Sequence, residues 1–249
     1  TGNPISNFSQ KDPKPGEPAR QKTEVRVAID NEFIYVGAYL FDNSPDSIAK
    51  QILKRDGWGY SDWFAIGLDS YFDKRTCFGF HVNPSGSIKD MLHFNDTDTD
   101  DSWDAIWESK SVINNDGWST EMKIPLSQLR YNPSEEDQIW GLNFYRRTAR
   151  YGEESFWAPI FMESKGFVSQ FGILKGIKLK KQKRRIEILP YISSADKLEP
   201  GDSDDPYWSK HSIIGNIGVD FKIGLGSNFT LTGTINPDFG QVEADPADL

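Results

Sequence analysis

Eight tryptophans are spread along this 249-residue chain, and they are the side chains most able to grip a ligand. Trp58 lies in Gly57-Trp58-Gly59-Tyr60, a loop phrase in which an indole is less strongly drawn into a core than it would be in a strand. An exposed indole stacks on the apolar C–H face of a sugar ring, and neighbouring carboxylates, amides and guanidiniums bind the hydroxyls. Trp103 sits in a second polar loop, and Arg146 and Arg147 offer bidentate donors. Trp58, Tyr60, Trp103, Arg146 and Arg147 are therefore the candidate ligand-binding residues. The plainer reading puts any one Trp at the core or its rim. It pairs Arg146, Arg147 and Arg150 across strands with Glu153 and Glu154. Trp63, Trp107 and Trp140 fall in strand patterns and are expected in the core.

Acidic side chains suggest a second chemistry. Asp96, Asp98 and Asp100 alternate along one loop, with Asp101 and Asp104 behind them, and Asp69 and Asp73 flank a strand end. Calcium takes six to eight oxygens, several of which alternate Asp residues on a turning loop can supply. An EF-hand is excluded because Asp101 stands where its sixth-position Gly is required. A looser structural calcium site at Asp69 and Asp73, or at Asp96, Asp98 and Asp100, competes with simple solvated loops.

Several classes are excluded or left without support. With 28 basic and 37 acidic residues the formal charge is −9, which argues against a nucleic-acid partner. The single Cys77 allows neither an intrachain disulfide nor a zinc cluster of Cys ligands. No run of about 18 apolar residues is present, so no transmembrane helix is expected. A glycosidase needs two carboxylates about 5–9.5 Å apart across a cleft. A chain this rich in acids always offers candidates, and no nucleophile elbow, P-loop or His-Glu-x-x-His phrase stands beside them. Nothing in the sequence speaks positively for an enzyme; if it were one, a hydrolase of glycosyl bonds would be the class.

The elements that must position these residues are strands. Val25, Val27 and Ile29 alternate with polar neighbours, Asp30-Asn31 turns the chain, and residues 33–41 return it. Further strands are expected over 62–72, 77–82, 88–94, 107–113, 117–124, 140–147 and 156–157, with a short helical turn at 125–129. Residues 1–20 read as an extended arm. No stretch longer than about ten residues has clean helical periodicity. The pattern predicts an all-β antiparallel sandwich over residues 1–180. A basic run from Lys178 to Arg185 marks a linker, or a strand edge guarded by Lys. Beyond it, residues 213–223 and 229–235 alternate in two segments of about ten residues, as strands of outer-membrane barrels do. Residues 181–249 hold too few strands to close a barrel. Both ends of the chain read as cut, which predicts a piece of a longer polypeptide.

The order of phrases resembles a known family. These are Thr23-Glu24-Val25-Arg26-Val27, Arg55-Asp56, Ser61-Asp62, Leu68 to Thr76, His81-Val82-Asn83-Pro84-Ser85-Gly86, Ser102 to Trp107, Asp116-Gly117-Trp118, Glu121 to Pro125 with Leu129-Arg130, and Asn236 to Asp245. The family is one of large bacterial outer-membrane proteins of unknown function. In it a sandwich like the carbohydrate-binding modules of family 9, jelly-roll-like in build, precedes a C-terminal barrel. The opening Asp-Gly phrase followed by a Trp has no match before Thr23. The resemblance implies non-catalytic glycan binding, an outer-membrane or periplasmic location and a membrane partner reached through the barrel. It also raises the case for structural calcium at the acidic loops. Haem-binding relatives of the sandwich draw attention to His81, His93 and Met91, although no haem-attachment Cys pair exists. The competing reading is a structural or interaction module of the barrel without a sugar ligand.

Overall fold

The structure, a computed structural model, describes residues 3–132, 136–179, 186–198, 211–225 and 229–237. It divides into two compact units, residues 1–183 and 184–249. The chain is all-β and antiparallel, with short 3-10 turns as its only helical elements among the described residues.

The first unit is built from two sheets. The smaller has the order β2 (Thr23–Ile29), β3 (Phe33–Phe41), β9 (Gly117–Pro125), β8 (Glu108–Asn114). The larger runs β1 (Ser9–Asp12), β11 (Glu153–Phe156), β10 (Gln138–Thr148), β4 (Trp63–Asp69), β5 (Cys77–Val82), β6 (Ile88–Phe94), β7 (Asp98–Asp100). β12 (Gly172–Ile177) continues the β11 edge of β10, pairing with Gln138 to Leu142. Period two decides what each face does. Ile34, Val36, Ala38 and Leu40 of β3 face Phe64, Ile66 and Leu68 of β4, Phe78, Phe80 and Val82 of β5, and Trp140, Leu142 and Phe144 of β10 in one buried core. Trp107 and Trp140 lie in that core as expected.

Hairpin chemistry sets the registers. The turn before β9 ends at Gly117, φ +148°, where a Cβ would stand 2.1 Å from the Leu40 carbonyl oxygen, so only glycine fits. Asp30 holds the β2–β3 turn by accepting the amide N–H groups of Glu32 and Phe33, both at 2.7 Å.

The extended N-terminal arm is tied into the first unit: β1 pairs with β11, Phe8 and Gln10 are buried, and Ile5 bridges Val25. One expectation is corrected. The acidic segment after Phe94 is not all loop, because Asp98–Asp100 forms β7 against β6.

In the second unit β13 (Ile186–Leu198), β14 (His211–Leu225) and β15 (Phe229–Ile235) form a three-stranded meander. Ile192 lies opposite Ile217, Ile188 opposite Phe221, and Ile186 opposite Ile223 and in turn Leu231, so these residues share one face. Trp208, most of the basic run (180–185) and the phrase beyond Pro237 lie outside the described residues.

Candidate functional site

The outer face of the large sheet carries groups that a solvent-facing sheet does not need. Its residues are the other parity of each strand: Asn143, Tyr145 and Arg147 on β10, Trp63, Ala65 and Gly67 on β4, Cys77, Gly79 and His81 on β5, Lys89, Met91 and His93 on β6. Register aligns Tyr145, Ala65, His81 and Lys89 in one row across four strands. The next row along pairs Asn143, Gly67, Gly79 and Met91. Small residues at the centre leave a depression, which two loops close to different extents.

The loop 161–171 covers one end. Asp96 anchors it, accepting the amide N–H groups of Phe167 and Ser169, both at 2.9 Å, and the Ser169 hydroxyl at 2.8 Å. Phe167 packs on His93 at 4.7 Å between centroids and on Phe156 and Phe171. A Cβ at Gly67 would stand 2.9 Å from the Phe171 ring, so the glycine admits the loop. Beneath it remains a cavity of about 30 Å³ lined by residues that include His81, His93, Cys77 and Asn143. The Nδ1 atoms of both histidines are buried without a hydrogen-bond partner. Burial holds the imidazoles neutral, His81 down to about 3 with His93 and Lys89 adding repulsion, and His93 down to about 4. Burial also pushes the Cys77 thiol up, so it is no nucleophile.

The other end is open. Trp58 is 46% exposed and lies parallel over the buried Trp63, 7° between planes and 5.0 Å between centroids. His81 meets the Trp58 ring edge-on at 6.3 Å, and the Arg147 guanidinium lies 5.4 Å from its centroid. His81 in turn packs on Tyr145 at 6.1 Å. The Tyr145 hydroxyl donates to Glu154 Oε1 at 3.1 Å, and burial together with that carboxylate keeps the phenol protonated. Lys11 pairs with the same carboxylate at 3.4 Å, and buried Lys89 pairs with exposed Asp101 at 2.9 Å. The loop that carries Trp58 is fixed at its base: the Asp56 N–H donates to Ile88 O at 3.1 Å, and the Asp90 N–H to Asp56 Oδ1 at 3.1 Å. The ends of the Gln51 and Leu53 side chains pack against Gly59, where a Cβ would displace them.

The expected residues thus separate. Trp58 and Arg147 are brought together, with Tyr60, 62% exposed, in the same loop as Trp58. Trp103 lies on the other side of the sheet, half-buried against Phe78 and Phe80 at the core's rim. Arg146 is buried between the sheets. It donates to the carbonyls of Lys22 at 2.8 Å and Phe41 at 2.7 Å and to the Thr23 hydroxyl at 3.0 Å. Burial lowers its pKa to about 10, against the pull of Asp62, Asp42 and Glu153. It is a clamp between sheets and does not face a ligand. Arg150 makes a bidentate pair with Asp42, both bonds 2.7 Å, and Glu153 pairs with Arg20 at 3.3 Å.

The acidic candidates are engaged by neighbouring backbone and side-chain donors. Asp69 accepts the N–H groups of Asp73 at 3.2 Å and Lys74 at 2.8 Å, and Asp73 those of Arg75 and Thr76. Asp98 accepts from the Asn95 amide, and Asp100 from the Ser102 N–H and hydroxyl. These are carboxylates spent on their own turns. Among the described residues no three His, Cys, Asp or Glu side chains gather where they could hold a metal ion. His81 and His93 face a space far too small for a haem.

Solved structures of similar build identify the fold. A putatively carbohydrate-binding protein from Bacteroides uniformis matches with a TM-score of 0.54 and 15% identity, over 68% of this chain and 86% of that one. A carbohydrate-binding module of family 9 from Caldicellulosiruptor kristjanssonii, in complex with cellotriose, matches with a TM-score of 0.50 and 18% identity, over 72% and 83%. The sandwich has the family 9 module fold. In this family 9-like sandwich, Trp63, Tyr145, Lys89 and Glu154 lie on the same face as Trp58 and Arg147 or pair with a group there, and sequence reasoning did not assign them to a ligand; it considered His81 only for haem. The signal was present in β10, where Arg147 shares parity with Tyr145 and Asn143 while Arg146 shares parity with Phe144 and Leu142. A family described as a domain of unknown function (DUF5916) matches residues 183–249. No curated protein matches the chain.

Proposed function

We propose that the first unit is a non-catalytic carbohydrate-binding module whose ligand lies on the open end of the large sheet's outer face. The observation that carries the reading is Trp58, a half-exposed indole backed flat against Trp63 with a guanidinium beside it. A sugar presents an apolar C–H face to such a ring and hydroxyls to the groups around it. Arg147 and Lys89 donate, Glu154 and Asp101 accept, and the Tyr145 hydroxyl does both. These groups are pinned by register, so little side-chain freedom is lost on binding. The similar module from Caldicellulosiruptor kristjanssonii is in complex with cellotriose, which makes a cello-oligosaccharide the first probe.

The test is calorimetric titration of the protein and its Trp58→Ala variant with cellotriose. Loss of stacking should weaken binding about 2- to 12-fold while the far-ultraviolet spectrum and cooperative melt persist. Equal affinity removes Trp58 from the site, and absence of binding in the folded protein favours a structural module.

We further propose an outer-membrane setting for the second unit. Ile186, Ile188, Ile192, Ile217, Leu231 and Ile235 are exposed on one continuous face, while Asp220, Lys222, Thr232 and Thr234 occupy the other parity. One apolar and one polar face over long antiparallel strands is the pattern of lipid-facing barrels. Fractionation of the native cells tests it: recovery outside the outer-membrane fraction would remove the proposal.

A further inference from the structure

The outer face of the small sheet is also unusual. Along β3 the inward parity is aliphatic, and the outward parity reads Phe33, Tyr35, Gly37, Tyr39, Phe41. A solvated antiparallel face is ordinarily polar. Here four aromatics stand in one line, interrupted only by Gly37. Phe33 and Phe41 are engaged, with Lys123 over the first ring at 4.4 Å and Lys22 over the second at 5.1 Å. Tyr35 and Tyr39 are fixed through their hydroxyls, bonded to Asp30 at 3.1 Å and to Asp116. Four residues of extended chain separate them, about 13 Å between Cα atoms.

Between the two tyrosines Gly37 forms a bare floor, with no atom within 4 Å of where a Cβ would stand. Register places Arg26 on one side of it and Glu121 on the other, with Lys110 beyond. Among the described residues Arg26, Glu121 and Lys110 make no ion pair or side-chain hydrogen bond, although the neighbouring charges Lys22–Glu24 and Lys123–Glu108 are paired. Two open hollows, about 630 Å³ and 430 Å³, meet at Gly37, Lys110 and Glu121.

We propose that this groove is a second saccharide site, on the sheet opposite Trp58, and that its ligand is a neutral oligosaccharide chain. Tyr35 and Tyr39 supply two ring faces, and the free donors of Arg26 and Lys110 and the free acceptor of Glu121 meet hydroxyls between them. Three cations and three anions line the two hollows, so the field does not favour an acidic sugar or a polyanion. The open trough suits a chain rather than a single enclosed ring. Glycine inside a strand costs stability that most residues would restore. Its presence at Gly37, where a side chain would fit, keeps the floor clear. This site stands independently of the Trp58 reading.

Gly37→Val tests it, because the new side chain fills the floor without touching the fold. Calorimetry with cellohexaose, on Gly37→Val and on Trp58→Ala, separates the two sites. Trp58→Ala should retain one binding event, and adding Gly37→Val should weaken that event at least tenfold at an unchanged or higher melting temperature. Glu121→Gln, nearly isosteric, should weaken it several-fold. Undiminished cellohexaose binding in Gly37→Val overturns the proposal, as does absence of any binding in Trp58→Ala. Tighter binding of a hexagalacturonate overturns the neutral ligand. A concentration-dependent dimer of the unliganded protein that Gly37→Val dissolves would assign the groove to a second copy of the chain and overturn it too.

Discussion

His93 should make the first unit sensitive to mild acid, and replacing it by Phe should relieve that sensitivity. The imidazole lies under the Phe167 ring with its Nδ1 buried and unpartnered, and burial holds its pKa at about 4. In the unfolded chain it titrates near 6.5. Between these values the unfolded state binds a proton that the native state refuses, so stability is full above pH 6.5 and falls as the pH drops. Each pH unit below 6.5 costs about 1.4 kcal/mol, so the descent from pH 7 to pH 5 removes about 2 kcal/mol through His93. His81, held at about 3 by burial, removes a similar amount. Asp62 works in the opposite sense. Burial raises it to about 6, the native state takes its proton first, and acidification over the same range returns about 1 kcal/mol. Urea melts of the protein and of His93→Phe at pH 7 and pH 5 isolate the histidine, because every other group is common to both. Phenylalanine suits the aromatic surroundings, so the variant should lose about 2 kcal/mol less between the two pH values. Parallel losses in the two proteins would show that His93 is solvated or hydrogen-bonded, and the account of the closed end would be wrong.

Two further outcomes follow from buried polar groups and from the acidic loops. Arg146→Ala takes a buried donor from the carbonyls of Lys22 and Phe41, leaving Lys22 only the Phe41 N–H, and strips Asp62 of a nearby cation, so denaturant melts should show a loss of about 3–5 kcal/mol; a loss under about 1 kcal/mol would mean that the clamp carries little. The carboxylates of Asp69, Asp73 and Asp100 already accept from their own turns, which predicts that thermal melts with calcium and with chelator superimpose. A calcium site at a hundredfold saturation would add about 2.7 kcal/mol, an easily seen rise of about 5–10 °C.

Strand positions were legible because the side-chain period is short and the turns are marked. Val25 to Ile29, Phe33 to Phe41 and Cys77 to Val82 alternate in the sequence as they do in the sheets. The N-terminal arm was missed because four residues, Ser9–Asp12, carry no alternation strong enough to see; their place depends on pairing with β11, 141 or more residues later. Arg146 was misplaced for a different reason. Charge suggested an outward side chain, but parity with Leu142 and Phe144 put it inside, and parity is the stronger constraint because one step of register turns every neighbour over. The acidic loops show the limit of spacing arguments. Alternate Asp residues suit a metal or a turn equally, and backbone N–H groups within two to five residues had first claim on several of them.

The two ends of the large sheet's outer face explain each other. A face built from Ala65, Gly67 and Gly79 beside ring-bearing neighbours cannot be left wholly bare, since it offers apolar surface and unpaired imidazole nitrogens. Phe167 and Phe171 close one end because Asp96 ties their loop down at three points. The loop stops short of Trp63, and there Trp58 supplies the cover instead, from a segment whose glycines let it lie flat. Trp58 therefore has a structural duty to Trp63 on one ring face, and it is the exposed remainder of the ring that offers a sugar its platform. The same reasoning says why Trp103, though a loop Trp, is no counterpart: Phe78 and Phe80 occupy it at the core's rim.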